Sequence, residues 1–198
     1  MIEFNNISNE PPYLIFKKKY LEAIGAGQTN IEAIAISSFN KKIDEVDSRF
    51  VNLKFINDIN FIFFTNYNSS KSQAFSSNNQ IGALFYWPST NTQIRMKAKI
   101  NKTSIKFNNE YFKNRSLDKN ALAITSYQSR KIISHKNVVK SYEETRKKEN
   151  LSKCPDYWGG FSFAPYYFEF WEGHESRLNK REVYEKIDNS WNQFILQP

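Results

Sequence analysis

Five stretches hold cations, hydroxyls and amides that a bare hydrophobic core does not explain. In SRFVNLKF, strand alternation puts Phe50, Asn52 and Lys54 on one face and Arg49, Val51, Leu53 and Phe55 on the other. Lys54 thus interrupts an apolar run. Lysine is rarely buried without an anionic partner, and the commoner arrangement is an edge strand whose lysine reaches out to water. FTNYNSSK carries small polar residues and then Lys71 at a helix start. Such a turn can offer backbone N–H groups and an ammonium to a phosphate, or be an ordinary polar turn. EYFKNR spaces Tyr111 and Arg115 four apart, on one helix face. A hydroxyl beside a guanidinium suits a phosphate monoester, although a packed Tyr with a solvated Arg gives the same spacing. SYQS adds Gln128 and Ser129, which could equally be a helix end. The last stretch, EFWEGHESRLNKREVY, runs from Glu169 to Tyr184 and holds Trp171, Arg177 and Arg181, with His174 as its only histidine. Singly, none of these signals is specific.

The frame that must position them is an ordinary globular one. The chain has 198 residues, 40% hydrophobic and 24% charged, enough for one domain with a real core. Aromatics reach 16%, with 17 Phe and 11 Tyr, a bias toward strands. The net charge of +8 attracts nucleic acid, anionic membrane or phosphorylated small molecules. The densest basic run, His135 to Lys148, also carries Glu143 and Glu144 and reads as a solvated helix face rather than a nucleic-acid patch. Cys154 is the lone cysteine, so no internal disulfide forms, and no Cys/His cluster has metal spacing. A reduced, cytoplasmic setting is expected. The N-terminal IEFNNISNEPPY has neither the basic nor the apolar region of a secretory signal, and no apolar run is long enough to span a membrane.

Along the chain, NEPPYLIFKKKYLEAIGAG predicts a first helix, started by its prolines and ended at Gly25 or Gly27. IEAIAISSF, SRFVNLKFI and NFIFFTNY predict strands, the last two forming a hairpin across NDIN. SSKSQAFSSNN allows a short helix, QIGALFYW reads as a buried strand, and TQIRMKAKI alternates as a half-buried one. NNEYFKNRSLDKNALAITSYQ and NVVKSYEETRKKEN predict two helices. DYWGGFSF, YYFEFW, REVYEKI and WNQFILQ predict strands, with WGG and WEG as turns. Helix, strands, two helices and strands again fit an α+β domain: one antiparallel barrel with peripheral helices.

Together, RFVNLK, FFTNYNSSK, FYWPSTNTQIR, YFKNR, SYQS and PDYWGGFSFAPYYFEFWEGHESRLNKREVY resemble the pyridoxine/pyridoxamine 5′-phosphate oxidase family in order and spacing, from about Ile31 to Pro198. The resemblance implies an FMN-binding split barrel, a single domain with residues 1–30 as an N-terminal helical segment and 155–198 as dimerisation and active-site strands. It implies a homodimer with FMN at the interface, and no nucleic-acid or membrane partner. Arg49 and Lys71 would hold the FMN phosphate, with Ser70 and Ser129 beside them. Phe50, Val51, Leu53, Lys54, Phe64 and Thr65 would line the flavin. Gln93 and Gln128 would hydrogen-bond it, and Trp171 and Arg181 would reach it from the partner chain. Lys54, Tyr111, Arg115 and Lys119 would hold the substrate phosphate. Arg177 and Asn179 would be the catalytic pair over the substrate ring. The implied reaction oxidises pyridoxamine or pyridoxine 5′-phosphate to pyridoxal 5′-phosphate, with oxygen as acceptor and hydrogen peroxide as product.

The chain departs from the family pattern at named positions. Ser70-Lys71 stands for Arg-Lys, Lys119 for a serine, and Asn179 for a histidine. SSFNKKIDEVD lacks the usual Gly-x-Pro, and the N-terminal segment is short. Asn179 cannot carry a proton near neutral pH. Two other functions therefore stay open: a related FMN oxidoreductase with another substrate, of phenazine-precursor type, and a non-catalytic module binding FMN, heme or nucleic acid.

Overall fold

Period-two burial builds the sheet, and the computed structural model describes residues 1–198. Its strands are β1 (Glu3–Asn5), β2 (Ala33–Asn40), β3 (Glu45–Asn57), β4 (Asn60–Asn66), β5 (Gln80–Trp87), β6 (Thr92–Lys102), β7 (Trp158–Glu172), β8 (Lys180–Ile187) and β9 (Ser190–Leu196). Its helices are α1 (Pro11–Gly25), α2 (Ser70–Ser77), α3 (Ile105–Asn114), α4 (Leu117–Thr125) and α5 (His135–Lys148). In β6 the residues Ile94, Met96, Ala98 and Ile100 are buried while Arg95, Lys97 and Lys99 face out, as a strand with one solvated face requires. β5 obeys the same rule. Ile81, Ala83, Phe85 and Trp87 point in, whereas Leu84 and Tyr86 are exposed, so the buried strand expected there is buried on one side only.

The ring β3–β2–β5–β6–β7–β4 closes back on β3, with every neighbour antiparallel. That is the six-stranded split barrel with peripheral helices. β1, which the sequence did not announce, adds in parallel to the end of β3, and β8 and β9 extend the sheet outward from β7. Inside α1, Tyr13, Phe16, Tyr20 and Ala23 recur every three or four residues and are fully buried. They meet Phe61, Phe85, Trp87 and Phe168 of the barrel. The expected start at Pro11 and stop near Gly25 are both met. α5 has no buried residue, in keeping with a solvated basic face, and no helix is long and apolar enough to cross a membrane.

Three expectations need correction. The long helix predicted over 108–128 is two helices, because Arg115 and Ser116 turn extended between α3 and α4. DYWGGFSF and YYFEFW are one strand, β7. Gly159 and Gly160 consequently lie within that strand and make no turn. They are glycines because neighbours crowd them: a Cβ on Gly159 would overlap the Tyr67 hydroxyl and the Asn108 amide. Those groups are fixed, since Tyr67 donates to Gly160 O at 3.1 Å, Asn108 Nδ2 donates to the Tyr67 hydroxyl at 3.0 Å, and Asn108 Oδ1 accepts from Gly160 N at 2.9 Å. Gly159→Ala is expected to cost about 1–3 kcal/mol through this overpacking, seen in a thermal melt as a Tm lower by roughly 3–10 °C.

Candidate active site

β3 changes partners midway, and this makes the cleft. Its first half pairs with β2 as far as Asn52; beyond that point it pairs with β4 and β1. A register shift between Leu53 and Phe55 marks the change. Bulges of this kind redirect side chains. Leu53 stays fully buried and Ile56 replaces Phe55 on the core side, so the strict alternation expected through Phe55 ends at the bulge. Lys54 sits at the bulge with paired strands on both sides, which removes the edge-strand explanation for it. Its side chain opens into a cleft of about 570 Å³ lined by Phe50, Val51, Asn52, Lys54, Phe64, Thr65, Lys71, Tyr111, Asn114, Arg115, Ser116, Lys119 and Gln128. Ten of the residues singled out in the sequence thus meet at one place. Leu53 can contribute only its backbone, Asn52 lines the cleft with Phe50 and Lys54 as the alternation places it, and Asn114 and Ser116 are lining residues the sequence reading missed.

One group of cations gathers at the start of α2. Lys71 is 7% exposed, and its Nζ has only two hydroxyl oxygens near it, Thr65 Oγ1 at 3.4 Å and Ser69 Oγ at 3.5 Å. Burial first, and then the Arg49 charge, push its pKa down, with Asp47 opposing. Asp47 is itself paired with Arg49, whose Nη1 also donates to Ser38 Oγ at 2.8 Å and Ile36 O at 3.1 Å. Gln128 Oε1 accepts from Thr65 Oγ1 at 3.1 Å and Asn66 N at 3.2 Å, while Ser70 Oγ lies 3.4 Å from Ser129 Oγ. Ser129 adopts a left-handed backbone, φ 69°, a conformation that costs a non-glycine residue energy and clusters at ligand sites. A buried ammonium without a counter-charge is costly. A phosphate ester would supply the charge, and the surrounding hydroxyls suit its oxygens.

A second group faces it. Lys54 has a pKa lowered by burial and by the nearby Lys119 and Arg115 charges, with Glu32 opposing. Glu32 is also engaged by the Met1 amino group at 3.5 Å. Arg115 is anchored at the α3–α4 break, where Nη1 donates to Lys119 O at 2.9 Å and Asn120 Oδ1 at 3.3 Å. Its guanidinium lies over the Trp158 ring, 5.0 Å from the centroid. Tyr111 stacks on Phe64 with centroids 3.8 Å apart, and burial raises its hydroxyl pKa against the pull of Arg115. Three cations converging on one cleft wall repel each other unless an anion joins them.

The remaining predicted residues lie elsewhere on the chain. Gln93, Trp171 and Arg181 are directly opposite one another across β6, β7 and β8, and therefore share a face of the sheet. None lines the cleft. Gln93 belongs beside Trp171 and Arg181, apart from Gln128. Arg177 occupies the exposed loop between β7 and β8, left-handed at φ 61°, with its N–H donating to His174 O at 2.9 Å. Asn179 Oδ1 accepts from His174 N at 3.0 Å, and His174 Nδ1 accepts from Ser176 N at 3.2 Å. His174 is a loop residue. Glu169 had no role in the sequence reading, yet it lies buried beneath Arg181. Its presence in Glu-Phe-Trp was the only signal.

Residues 158–198 match the family model described as the pyridoxine 5′-phosphate oxidase C-terminal dimerisation region. Across nearly its whole length, the chain is 32% identical over 190 residues to the pyridoxine/pyridoxamine 5′-phosphate oxidase of Leptospira interrogans serovar copenhageni, covering 94% of this chain and 88% of the relative. The enzyme of the same description from Colwellia psychrerythraea is 33% identical over 193 residues, covering 96% and 88%. Among solved structures the fold is similar to that of PhzG from Burkholderia lata 383, crystallised with tetrahydrophenazine-1-carboxylic acid, at a TM-score of 0.89 and 24% identity over 96% of this chain and 93% of that one. It is also similar to a pyridoxamine 5′-phosphate oxidase-related, FMN-binding protein from Nostoc punctiforme, at a TM-score of 0.79 and 12% identity, covering 96% and 99%.

Proposed function

The chain belongs to the pyridoxine/pyridoxamine 5′-phosphate oxidase family, within the FMN split-barrel oxidoreductases, and from that premise we propose that it is an FMN-dependent oxidase, working as a homodimer on a planar substrate with a phosphate arm. Pyridoxamine or pyridoxine 5′-phosphate is the first candidate, with pyridoxal 5′-phosphate and hydrogen peroxide as products. The observation that carries this reading is that two cation positions line one cleft, Lys71 and the group of Lys54, Arg115 and Lys119, with the Arg49 charge near Lys71 from outside the lining. Two phosphates need two such groups, one for the cofactor and one for the substrate.

Bound FMN supplies the two-electron acceptor; the protein supplies grip, orientation and exclusion of water. Lys71, Ser70 and Ser129 would take the cofactor phosphate, with Arg49 released toward it from Asp47. Thr65 and Gln128 would meet polar ring atoms along the β4 edge. Lys54, Tyr111, Arg115 and Lys119 would hold the substrate phosphate, fixing the distance at which its reactive carbon meets the flavin ring, where small misplacements are expensive. Trp171, Arg181 and Gln93 would come from the partner subunit, as would Arg177 over the substrate ring.

A second reading, an FMN oxidoreductase for a different substrate such as a phenazine precursor, draws support from Asn179. Its carbonyl is spent inside its own loop, and an amide carries no proton to the substrate near neutral pH. The visible spectrum of purified protein tests both. Yellow protein that bleaches when pyridoxine 5′-phosphate is added without oxygen supports the first reading. FMN-loaded dimer that does not bleach transfers support to the second, and protein that takes up no FMN removes both. Within the first reading, Arg115→Ala is expected to raise KM for the phosphorylated substrate about 10- to 100-fold with FMN retained, as the loss of one charge-assisted contact to phosphate predicts.

A further inference from the structure

Glu169 is the only acidic side chain among the buried residues, 2% exposed. The register puts Arg95 directly opposite it on β6 and the apolar Val183 opposite it on β8, so one neighbouring strand matches its charge and the other does not. Burying a carboxylate is unfavourable unless cations and donors surround it, and here they do. Its Oε1 accepts from Arg181 Nε at 2.8 Å, Oε2 lies 3.3 Å from Arg95 Nη1, and Oε2 accepts from the Tyr167 hydroxyl at 3.1 Å. Burial pushes the carboxyl up, but the Arg181 hydrogen bond and the Arg95 charge outweigh it and hold the group below its usual range. It is therefore ionised near neutral pH.

The consequence falls on Arg181. Its guanidinium is gripped at Nε by Glu169 and at Nη1 by Gln197 O, 3.0 Å away. Nη2 keeps no hydrogen-bond partner in the chain. Trp171, two residues beyond Glu169 on the same face of β7, is the direct cross-strand neighbour of Arg181. Whatever fixes Arg181 therefore fixes the edge of the face that Trp171 and Gln93 share. Long arginine side chains lose rotamer freedom on binding, and a side chain already held loses less. Groups that orient a ligand-binding side chain from behind commonly set affinity nearly as strongly as the side chain itself.

We propose that Glu169 is a positioning residue for the cofactor: it holds Arg181 extended so that the free edge of its guanidinium meets the flavin bound in the neighbouring subunit. This rests on the FMN reading above. Without the carboxylate, Arg95 and Arg181 would repel each other and Arg181 would swing into water.

The test is a double-mutant cycle read by FMN binding, with no turnover needed. Apo dimers of the parent, Glu169→Gln, Arg181→Ala and the double variant are titrated with FMN by fluorescence quenching, with melting temperature and elution volume recorded for each. Expected is a rise in FMN Kd of at least tenfold for Glu169→Gln and at least as much for Arg181→Ala. The double variant should be no weaker than Arg181→Ala, since a residue acting only through another adds nothing once that one is gone. A merely structural role would lower the melting temperature and multiply the two losses. A Kd for Glu169→Gln within twofold of the parent, or a double variant weakened by the product of the single losses, overturns the proposal. If Glu169→Gln does not fold, Glu169→Asp runs the same cycle, keeping the charge while withdrawing the oxygen from Arg181 Nε. Parent protein that takes up no FMN fails the functional reading and this proposal together; parent protein that binds FMN beside an unaffected Glu169→Gln fails this proposal alone.

Discussion

Lys71→Met is expected to give an apo protein that melts higher than the parent and binds FMN much more weakly. The two effects have opposite signs, and one cause produces both. Lys71 is buried beside hydroxyls 3.4 and 3.5 Å away, with Arg49 near it and the acid that could neutralise it already paired to that arginine. In the empty cleft the ammonium is a liability, and an unbranched apolar side chain of similar length fills the same space without the charge. Each kcal/mol relieved should raise Tm by about 2–4 °C in a chain of this size. Against FMN the balance reverses. A charge-assisted hydrogen bond to phosphate contributes roughly 2–3 kcal/mol, so its loss should weaken FMN binding about 30- to 100-fold. Calorimetry of apo protein and a fluorescence titration read the two halves separately. A variant that melts lower and binds FMN as the parent does would mean that Lys71 is a structural lysine and the phosphate lies elsewhere.

The same lysine sets a pH dependence. Its folded pKa lies below the unfolded value of 10.5, because burial and Arg49 disfavour the charge. Between the two values the unfolded chain binds the extra proton, so stability rises with pH across that alkaline window. Lys54 adds a contribution of the same sign and the Cys154 thiol, pushed up to about 11, one of opposite sign, so the readout is a difference: across that window the stability of the apo parent should rise relative to that of Lys71→Met.

What the sequence made legible follows from where local rules operate without interference. β6 could be read residue by residue because one of its faces is solvated and the other is core. Lys54 could be singled out because it breaks an apolar run, and Tyr111 and Arg115 because their spacing puts a hydroxyl and a guanidinium on one helix face. Three features stayed hidden because distant residues decide them. Gly159 and Gly160 resemble turn glycines in the sequence, and only the approach of Tyr67 and Asn108 to the first and of Thr103 to the second accounts for them. The break at Arg115 and Ser116 interrupts a stretch whose helical pattern continues through it, and buried Asn120 ties the junction together by donating to Phe112 O and Leu151 O. Glu169 gives no local sign, because its reason lies across two strands, in Arg95 and Arg181. Gln93 drew attention only through family resemblance, and its neighbours became visible only when register put it opposite Trp171.

That register carries the second large prediction: a mixed dimer of two defective chains should recover one of its two FMN sites. The cleft draws its walls from β3, β4, α2, α3, α4 and Gln128. The row Gln93–Trp171–Arg181 belongs to β6, β7 and β8, hydrogen-bonded into a continuous sheet. Strands tied on both sides do not swing across a barrel, so Arg181 has no route to the cleft of its own chain. In the proposed dimer a second copy would present it. Lys71→Met spoils the cleft of a chain and spares its β7–β8 face, and Arg181→Ala does the reverse. Each homodimer then has one fault in both sites. In a mixed dimer, isolated through two different tags, one site combines the sound cleft with the sound face, and the other collects both faults. The mixed dimer should therefore bind one FMN with nearly parental affinity, while each homodimer binds at least tenfold more weakly, as expected for losing a charge-assisted contact to an anionic ligand. A mixed dimer no better than its parents would place Arg181 in the service of its own subunit. The division of the site between two chains, together with the role given to Glu169 beneath Arg181, would then have to be abandoned.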